Sequence, residues 1–394
     1  MKIEDIKLKV ISDSRGQDTL EVTLRSGEYE SIASVPAGKS KGKHEVVSLE
    51  PNTAIQKFDE IKSQILSIDF PSVSDFDNFL ISLDGTSDKS NLGGNLILVL
   101  SIAFTKLLAK ANNIEVYQLI GQILGKENTE FPYLYFNLIG GGLHAKDSLP
   151  FQEYILVTKF SSPSKGLEFA QNMVAKLGED IEKNFGELRK GDEGTYSINS
   201  VDPELGLKIL QRNLDEETEV NLALDVAASS FYQEGSYHIG EKLMSRDELL
   251  SYYELLTTNY QLLSIEDPFA EDDKEGFAKI YQKLGDKVWI IGDDLTVTNP
   301  SLIKKAQEEK AASGVIIKPN QIGSVSETLE AIKLAQSYGW KIIVSHRSGE
   351  TMDNFIADLA FGAGADGLKS GAPTQIQRLV KYQRLVEIEK KWLI

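Results

Sequence analysis

The chain contains no cysteine. Disulfides, thiolate zinc sites and thiol nucleophiles are therefore excluded, and the absence fits a reducing, cytoplasmic setting. Cations are also in deficit, with 42 Lys and Arg against 59 Asp and Glu, a formal charge of −17. Such a surface repels phosphate backbones, so nucleic acid is not an expected partner. A small anionic substrate then needs a local cationic pocket or metal ions to bind at all. Long apolar runs are missing too. The most apolar, LILVLSIAF at 96–104, is far short of the ~20 residues of a membrane span and reads as a buried helix. The opening MKIEDIKLKVISDSRG mixes charged and apolar residues and holds no signal-peptide core, so no membrane partner is expected.

What is present suits a globular protein of two domains. The 394 residues are 41% hydrophobic and 26% charged, and they leave room for one barrel of roughly 250 residues. Residues 1–35 hold three strand-like runs, IEDIKLKVI, DTLEVTLRS and ESIASV, punctuated as an antiparallel meander. A loop rich in lysine and glycine follows, Pro36 to Glu45; it reads as a solvated turn or as a lid that closes over an anion. AIQKFDEIKSQIL, VSDFDNFLISL and NLILVLSIAFTKLLAKA have helical spacing. The boundary is expected near residue 128, dividing the chain into 1–128 and 129–394.

Beyond the boundary, strand-like FPYLYFNLI and FQEYILVT flank Gly140 to Asp147, and a long helical stretch runs from about 163 to 190 before Gly191-Asp192-Glu193-Gly194. Short Val- and Ile-rich runs then recur, each closing on polar residues: Asp225, Glu266, Asp293, Lys318, His346-Arg347-Ser348 and Lys369. From Glu266 onward the gaps are 27, 25, 28 and 23 residues, close to one strand-plus-helix unit of an eight-fold barrel. Within one such unit, VWIIGDD and VIIKPN flank SLIKKAQEEKAASG, a surface helix whose expected stop is Gly314. A parallel barrel gathers its active site at the carboxyl ends of its strands, so all these run ends are expected in one mouth.

Any one of Asp225, Glu266 and Asp293 alone would be a capping or solvated residue. Three from consecutive strands repel one another unless a cation sits among them, and hard oxygen ligands without cysteine point to Mg²⁺ or Mn²⁺. Lys318, with Lys369 two strands on, is a candidate base, since other cations and a dication nearby lower the pKa of an amine; the alternative is a lysine paired with one of the acids. Glu193 is a candidate acid, although Gly-Asp-Glu-Gly reads equally well as a plain turn. His346, Arg347 and Ser348 offer donors suited to a phosphate or carboxylate. Together these parts describe proton abstraction beside a carboxylate, followed by loss of a leaving group.

The motifs SVPAGKSKGKHE, LDGTSDKSNLGGN, GDEG, LDVAASSFY, SIEDPF, GDDLTVTNP, KPNQIGS, VSHRSGET and LKSGAP stand in order along the chain. On these motifs the chain resembles the enolase family over almost its whole length. The resemblance implies an N-terminal α+β domain followed by a TIM-like barrel of ββαα(βα)₆ type. It also implies a lyase, phosphopyruvate hydratase, that reversibly dehydrates 2-phospho-D-glycerate to phosphoenolpyruvate. Carried over, Asp225, Glu266 and Asp293 hold a first Mg²⁺, and Ser40 on the lid ligates a second that arrives with substrate. Lys318 takes the C2 proton and Glu193 protonates the leaving 3-hydroxyl. Lys369 contacts the substrate carboxylate, Arg347 and Ser348 hold the phosphate, and His144, Gln152, Glu153 and His346 line the pocket. The family also implies a homodimer or a higher assembly of dimers.

Departures from the family pattern lie in loops. The usual lid SGAST is Ala37-Gly38-Lys39-Ser40-Lys41 here, Leu143 precedes His144, Lys146-Asp147 follow Ala145, Thr195 stands near Glu193, and Ser230 and Met352 replace acidic residues. Two other readings stand beside the first: a superfamily lyase acting on a different phospho- or carboxy-acid, and a non-catalytic binding or scaffold protein. Retention of every metal and base residue argues against the scaffold.

Overall fold

The computed structural model describes residues 1–39, 42–127, 130–145, 148–160, 162–215 and 219–392. Strands β1 (Asp5–Ser12), β2 (Asp18–Ser26) and β3 (Tyr29–Ser34) form the expected antiparallel meander. Alternation along β2 turns Leu20, Val22 and Leu24 inward, and all three are fully buried. Helices α1 (Pro51–Ser67), α2 (Val73–Asp84), α3 (Gly94–Ala111) and α4 (Val116–Leu124) follow. The Ser72 side chain caps α2 by accepting the Asp75 N–H, and Gly85 ends it at φ +70, a left-handed position that favours glycine.

The apolar run at 96–104 belongs to α3, which packs on β2 and β3. Among the described residues α3 is the one helix long and apolar enough to cross a membrane, and most of it is buried inside the protein. Its Phe104 stacks on Phe76 of α2 with ring centroids 4.4 Å apart. A helix covered on nearly every side needs no polar face, which accounts for its composition.

The second part opens with β4 (Tyr133–Gly140) and β5 (Glu153–Thr158), then α5 (Pro163–Phe185), the short β6 (Arg189–Lys190) and β7 (Tyr196–Ser197), and α6 (Leu205–Arg212). After β8 (Val220–Asp225), a small separate sheet of β9 (Tyr232–Gln233), β10 (Ser236–Ile239) and β11 (Lys242–Met244) precedes α7 (Arg246–Asn259). Strand and helix then alternate: β12 (Leu262–Glu266), α8 (Lys274–Leu284), β13 (Trp289–Gly292), α9 (Pro300–Glu308) and β14 (Gly314–Ile317). The short α10 (Pro319–Ile322), α11 (Val325–Ser337), β15 (Lys341–Ser345), α12 (Phe355–Gly362), β16 (Gly367–Lys369) and α13 (Ile376–Trp392) complete the chain. The main sheet runs β4-β5-β8-β12-β13-β14-β15-β16 and closes by pairing β16 with β4. Within that ring only β5 runs against its neighbours. The architecture is the expected α+β domain and ββαα(βα)₆ barrel.

Alternate residues of these strands, Tyr135, Ile155, Val157, Ala223, Ile291, Ile316 and Ile343, fill the barrel as a core of their own. One expectation fails here. Gly314 is not a helix stop, because α9 ends at Glu308 and Gly314 opens β14. A Cβ at Gly314 would lie 2.5 Å from Ile291 Cδ1 and 2.8 Å from the Lys341 carbonyl, so close packing against both neighbouring strands explains the glycine. The boundary expected at residue 128 falls on residues 128 and 129, outside the described residues.

The N-terminal part is seated on the barrel mouth. Ala37 bridges Gly349, the Val46 N–H donates to the Gln321 carbonyl at 3.0 Å, and Lys89 pairs with Glu327 at 2.9 Å. The lid loop is thereby anchored at both ends over the strand ends.

Candidate active site

Strand register brings the first acids together. Glu153 pairs with Asp225 and Asp225 with Glu266 across neighbouring strands, all at the same rim. Asp293 lies one residue past β13. All four are at least nine-tenths buried. Buried carboxylates need counter-charge, and two lysines supply it. Lys369 Nζ lies 2.6 Å from Glu266 Oε2, 3.0 Å from Asp225 Oδ2 and 3.1 Å from Glu153 Oε2, while Lys318 Nζ donates to Asp293 Oδ2. Gln152 Nε2 reaches Asp225 at 3.3 Å and Gln321 Nε2 reaches Asp293 at 2.9 Å.

The titration behaviour follows from these partners. Burial, aided by the Asp225 charge, pushes the Glu266 carboxyl well up. Burial also acts to raise Asp293, but Lys318 beside it prevails and holds it below its ordinary value. With its protein partners alone, Lys318 is held above its ordinary value. Burial is its largest influence and acts downward, yet the Asp293 and Glu266 charges outweigh it and the ammonium is stabilised. The paired-lysine alternative describes this ground state.

The three acids proposed as ligands do not form a tight cage by themselves. Among the described residues, the acid and imidazole groups whose ligand atoms all lie within 4.8 Å of one another are Asp267–Asp293–Asp294 and His144–Glu153–Glu193. Lys369 and Lys318 take up Asp225, Glu266 and Asp293 instead. The donor set nevertheless fits a hard divalent cation. It is all carboxylate oxygen, and Glu266 Oε1 is buried with no hydrogen-bond partner.

Glu193 sits across the mouth, buried in a turn closed by the Gly194 N–H on the Gly191 carbonyl at 3.1 Å. Asn137 Nδ2 donates to its Oε2 at 3.1 Å, and His144 Nδ1 and His346 Nε2 each lie 3.4 Å from a carboxylate oxygen. Arg378 Nη1 is 2.6 Å from His346 Nδ1. A guanidinium only donates, so Nδ1 accepts and the His346 proton sits on Nε2, toward Glu193. Burial and Arg378 push His346 down to about 4. Burial acts to raise Glu193, but His346, His144 and the Arg378 guanidinium prevail and hold its carboxyl well below the carboxylate range.

The third group surrounds Arg347 and Ser348. Arg347 forks onto Glu45 at 2.9 and 3.1 Å and reaches Asn320 Oδ1 at 3.1 Å. Ser348 Oγ accepts the Lys39 N–H at 2.7 Å and Arg15 Nη1 at 3.1 Å. One small cavity is lined by His144, Gln152, Glu153, Glu193, Asp225, Lys318, His346, Arg347, Ser348 and Lys369. Glu266 and Asp293 join it through the two lysines. Ser40 and the Lys146-Asp147 pair lie outside the described residues.

Several contributors escaped the sequence reading. Asp267, at φ +40, accepts the Asp293 and Asp294 N–H groups at 2.9 and 2.8 Å and so aims Asp293. Gln321, Glu45 and Asp267 stand inside quoted motifs and Arg15 in the opening stretch, so their positions were visible and their partners were not. Asn137 and Arg378 left no local signal. Thr195 fits against Gly140 and Gly191, whose missing side chains make room for it, and its buried Oγ1 has no hydrogen-bond partner.

A barrel whose strand ends gather buried carboxylates, two amines and a guanidinium around one small cavity has the layout of a metal-dependent lyase of small acids. A family model described as the enolase N-terminal domain matches residues 3–120, and one described as the enolase C-terminal TIM barrel domain matches residues 128–392. An enolase of Methanopyrus kandleri is 40% identical over 412 residues, covering 99% of this chain and 96% of the relative. Enolase B of Dictyostelium discoideum is 38% identical over 421 residues, covering 99% and 95%, and an enolase of Sulfurisphaera tokodaii is 39% identical over 407, covering 99% and 96%. The chain belongs to the enolase family. It is a lyase, a phosphopyruvate hydratase, with a divalent metal cofactor and with 2-phosphoglycerate and phosphoenolpyruvate as substrates.

Proposed function

We propose that Lys318 and Glu193 are the base and acid of a reversible dehydration of 2-phospho-D-glycerate. The observation that supports this is that both line one small cavity together with the buried carboxylates Glu153 and Asp225. Arg347 and Ser348 hold the phosphate, and Lys369 meets the substrate carboxylate. Lys318 Nζ removes the C2 proton, and Glu193 gives its proton to the 3-hydroxyl, which leaves as water. His144, Gln152, Glu153 and His346 shape the pocket, with His346 orienting Glu193. The closed lid keeps bulk water from the intermediate.

Two Mg²⁺ are proposed per site, the first held by Asp225, Glu266 and Asp293, the second by Ser40 when substrate enters. When bound, such ions would supply the positive charge that competes with Lys318 for Asp293 and offsets the second negative charge that loss of the C2 proton places on the substrate carboxylate. The Lys-base-with-Mg²⁺ pairing is itself a standard worked case for this superfamily.

The division at 128/129 into a capping and a catalytic domain is part of the same reading, supported by the end of α4 at Leu124 and the start of β4 at Tyr133. So are a cytoplasmic location, supported by the lack of cysteine, and a homodimer or an assembly of dimers, supported by the exposed Ile32 and Tyr29 on β3.

The test is phosphoenolpyruvate absorbance with 2-phosphoglycerate and Mg²⁺. Wild type turns over, and Lys318→Ala and Glu193→Gln lose about 10²–10⁴-fold. Full activity in Lys318→Ala would remove the base assignment.

A further inference from the structure

We infer that the lid carries its own electrostatic fastening, in which Lys39 is a positioning residue for the dehydration. This rests on the roles proposed above for Glu193 and Ser348. Lys39 spans the mouth. Its backbone N–H donates to Ser348 Oγ at 2.7 Å, and its Nζ donates to Asp192 Oδ2 at 2.9 Å. Asp192 is the neighbour of Glu193, and its own N–H donates to the His144 carbonyl at 3.1 Å. A single lid residue is therefore tied to the anion end of the site, to the turn that carries the acid, and through that turn to the loop of His144.

The other arm of the lid is fastened in the same way. Lys43 Nζ pairs with Asp272 and lies 3.2 Å from Glu271 Oε1, on the segment that follows β12. Next to each lysine a glycine fits closely. A Cβ on Gly38 would run into the Arg347 guanidinium, and one on Gly42 would lie 2.6 Å from Val297 Cγ1. Glu45 then forks onto Arg347. The family's usual lid has alanine where Lys39 stands, so this strap belongs to the present chain.

The Lys39–Asp192 pair is partly open to solvent, with side chains 49% and 33% exposed. Exposed pairs weigh little singly and are screened by salt. The expected effect is therefore graded, about two- to fivefold, rather than all-or-none.

The experiment compares wild type, Lys39→Ala, Asp192→Asn and the double variant in the full chain. It measures kcat/KM for 2-phosphoglycerate at low and high KCl with Mg²⁺ held constant. At low salt Lys39→Ala should lose about two- to fivefold, carried mainly in kcat. The loss should shrink at high salt, vanish in the Asp192→Asn background, and be largely recovered by Lys39→Arg. A loss that persists undiminished in the Asp192→Asn background would show that Lys39 acts on the substrate anion directly, and the strap would be wrong. Hydrogen exchange of residues 36–46 without substrate gives a second readout, in which Lys39→Ala should exchange faster and Lys39→Arg as wild type. Unchanged exchange overturns the strap whatever the kinetics, whereas absent wild-type turnover with faster exchange in Lys39→Ala overturns only the enzymatic reading.

Discussion

Lys369 Nζ lies 3.0 Å from Asp225 Oδ2, a contact between residues 144 positions apart in the chain. The same ammonium serves Glu266 and Glu153. One amine thus offsets three carboxylates that would otherwise be buried together.

Lys369→Met should therefore destabilise the metal-free protein. Removing one partner of a buried ion pair costs about 3–5 kcal/mol. In urea denaturation with EDTA the variant midpoint should fall clearly, and excess Mg²⁺ should recover part of the loss by taking over the acids. Equal midpoints with EDTA would mean that the carboxylates do not depend on Lys369.

Metal binding should be visible as stability. A ligand present at 100 times its Kd adds about 2.7 kcal/mol to the folded state. Thermal unfolding should rise with Mg²⁺ in wild type and much less in Glu266→Gln, whose amide replaces one of the hard oxygens. Chelation should abolish turnover reversibly in wild type.

Gly38→Ala tests how tightly the lid must seat. The new methyl would collide with the Arg347 guanidinium, so either the lid lifts or the arginine moves. A misplacement of about 1 Å at such a site costs on the order of 10²-fold in rate. Activity should fall steeply while circular dichroism and the urea midpoint stay near wild type; a variant with normal kcat and KM would rule out close seating.

Asp77 predicts a pH dependence of stability away from the active site. It is fully buried, and its Oδ2 accepts the Ser326 N–H at 2.8 Å, at the start of α11. Burial outweighs that bond and pushes the carboxyl from 3.8 to about 6. A raised folded pKa means that its contribution is fully present below about 4 and is lost as pH rises through about 6. That rise corresponds to about 3 kcal/mol. Asp77→Asn, neutral at every pH, should gain on wild type by about that amount between pH 4 and pH 7. A variant-minus-wild-type difference that stays flat across this range would contradict a buried, protonating Asp77.

How much of this was legible beforehand depends on whether the cause was local. The meander of β1 to β3 was readable because alternation and turn residues are properties of neighbours in the chain. Asp225, Glu266, Lys318 and Lys369 were readable for a similar reason, since each interrupts or ends an apolar run and a parallel barrel gathers such ends. Gly314 was misread because its constraint comes from Ile291 and Lys341 on adjacent strands. That Lys318 pairs with Asp293 was not readable, because which acid it meets depends on the side chains that converge at the mouth.

The sequence by itself determined which side chains stand at the strand ends, because side-chain direction repeats every two residues along a strand and the motifs are contiguous. Only the tertiary structure decided who pairs with whom. Lys369 reaches Asp225 across the barrel only because β16 closes on β4. Asp267 aims Asp293 through its positive φ, and Lys39 meets Asp192 because the lid crosses the mouth. Buried charges must find partners wherever the fold brings them, and those distances are set by barrel closure and loop path rather than by spacing in the chain.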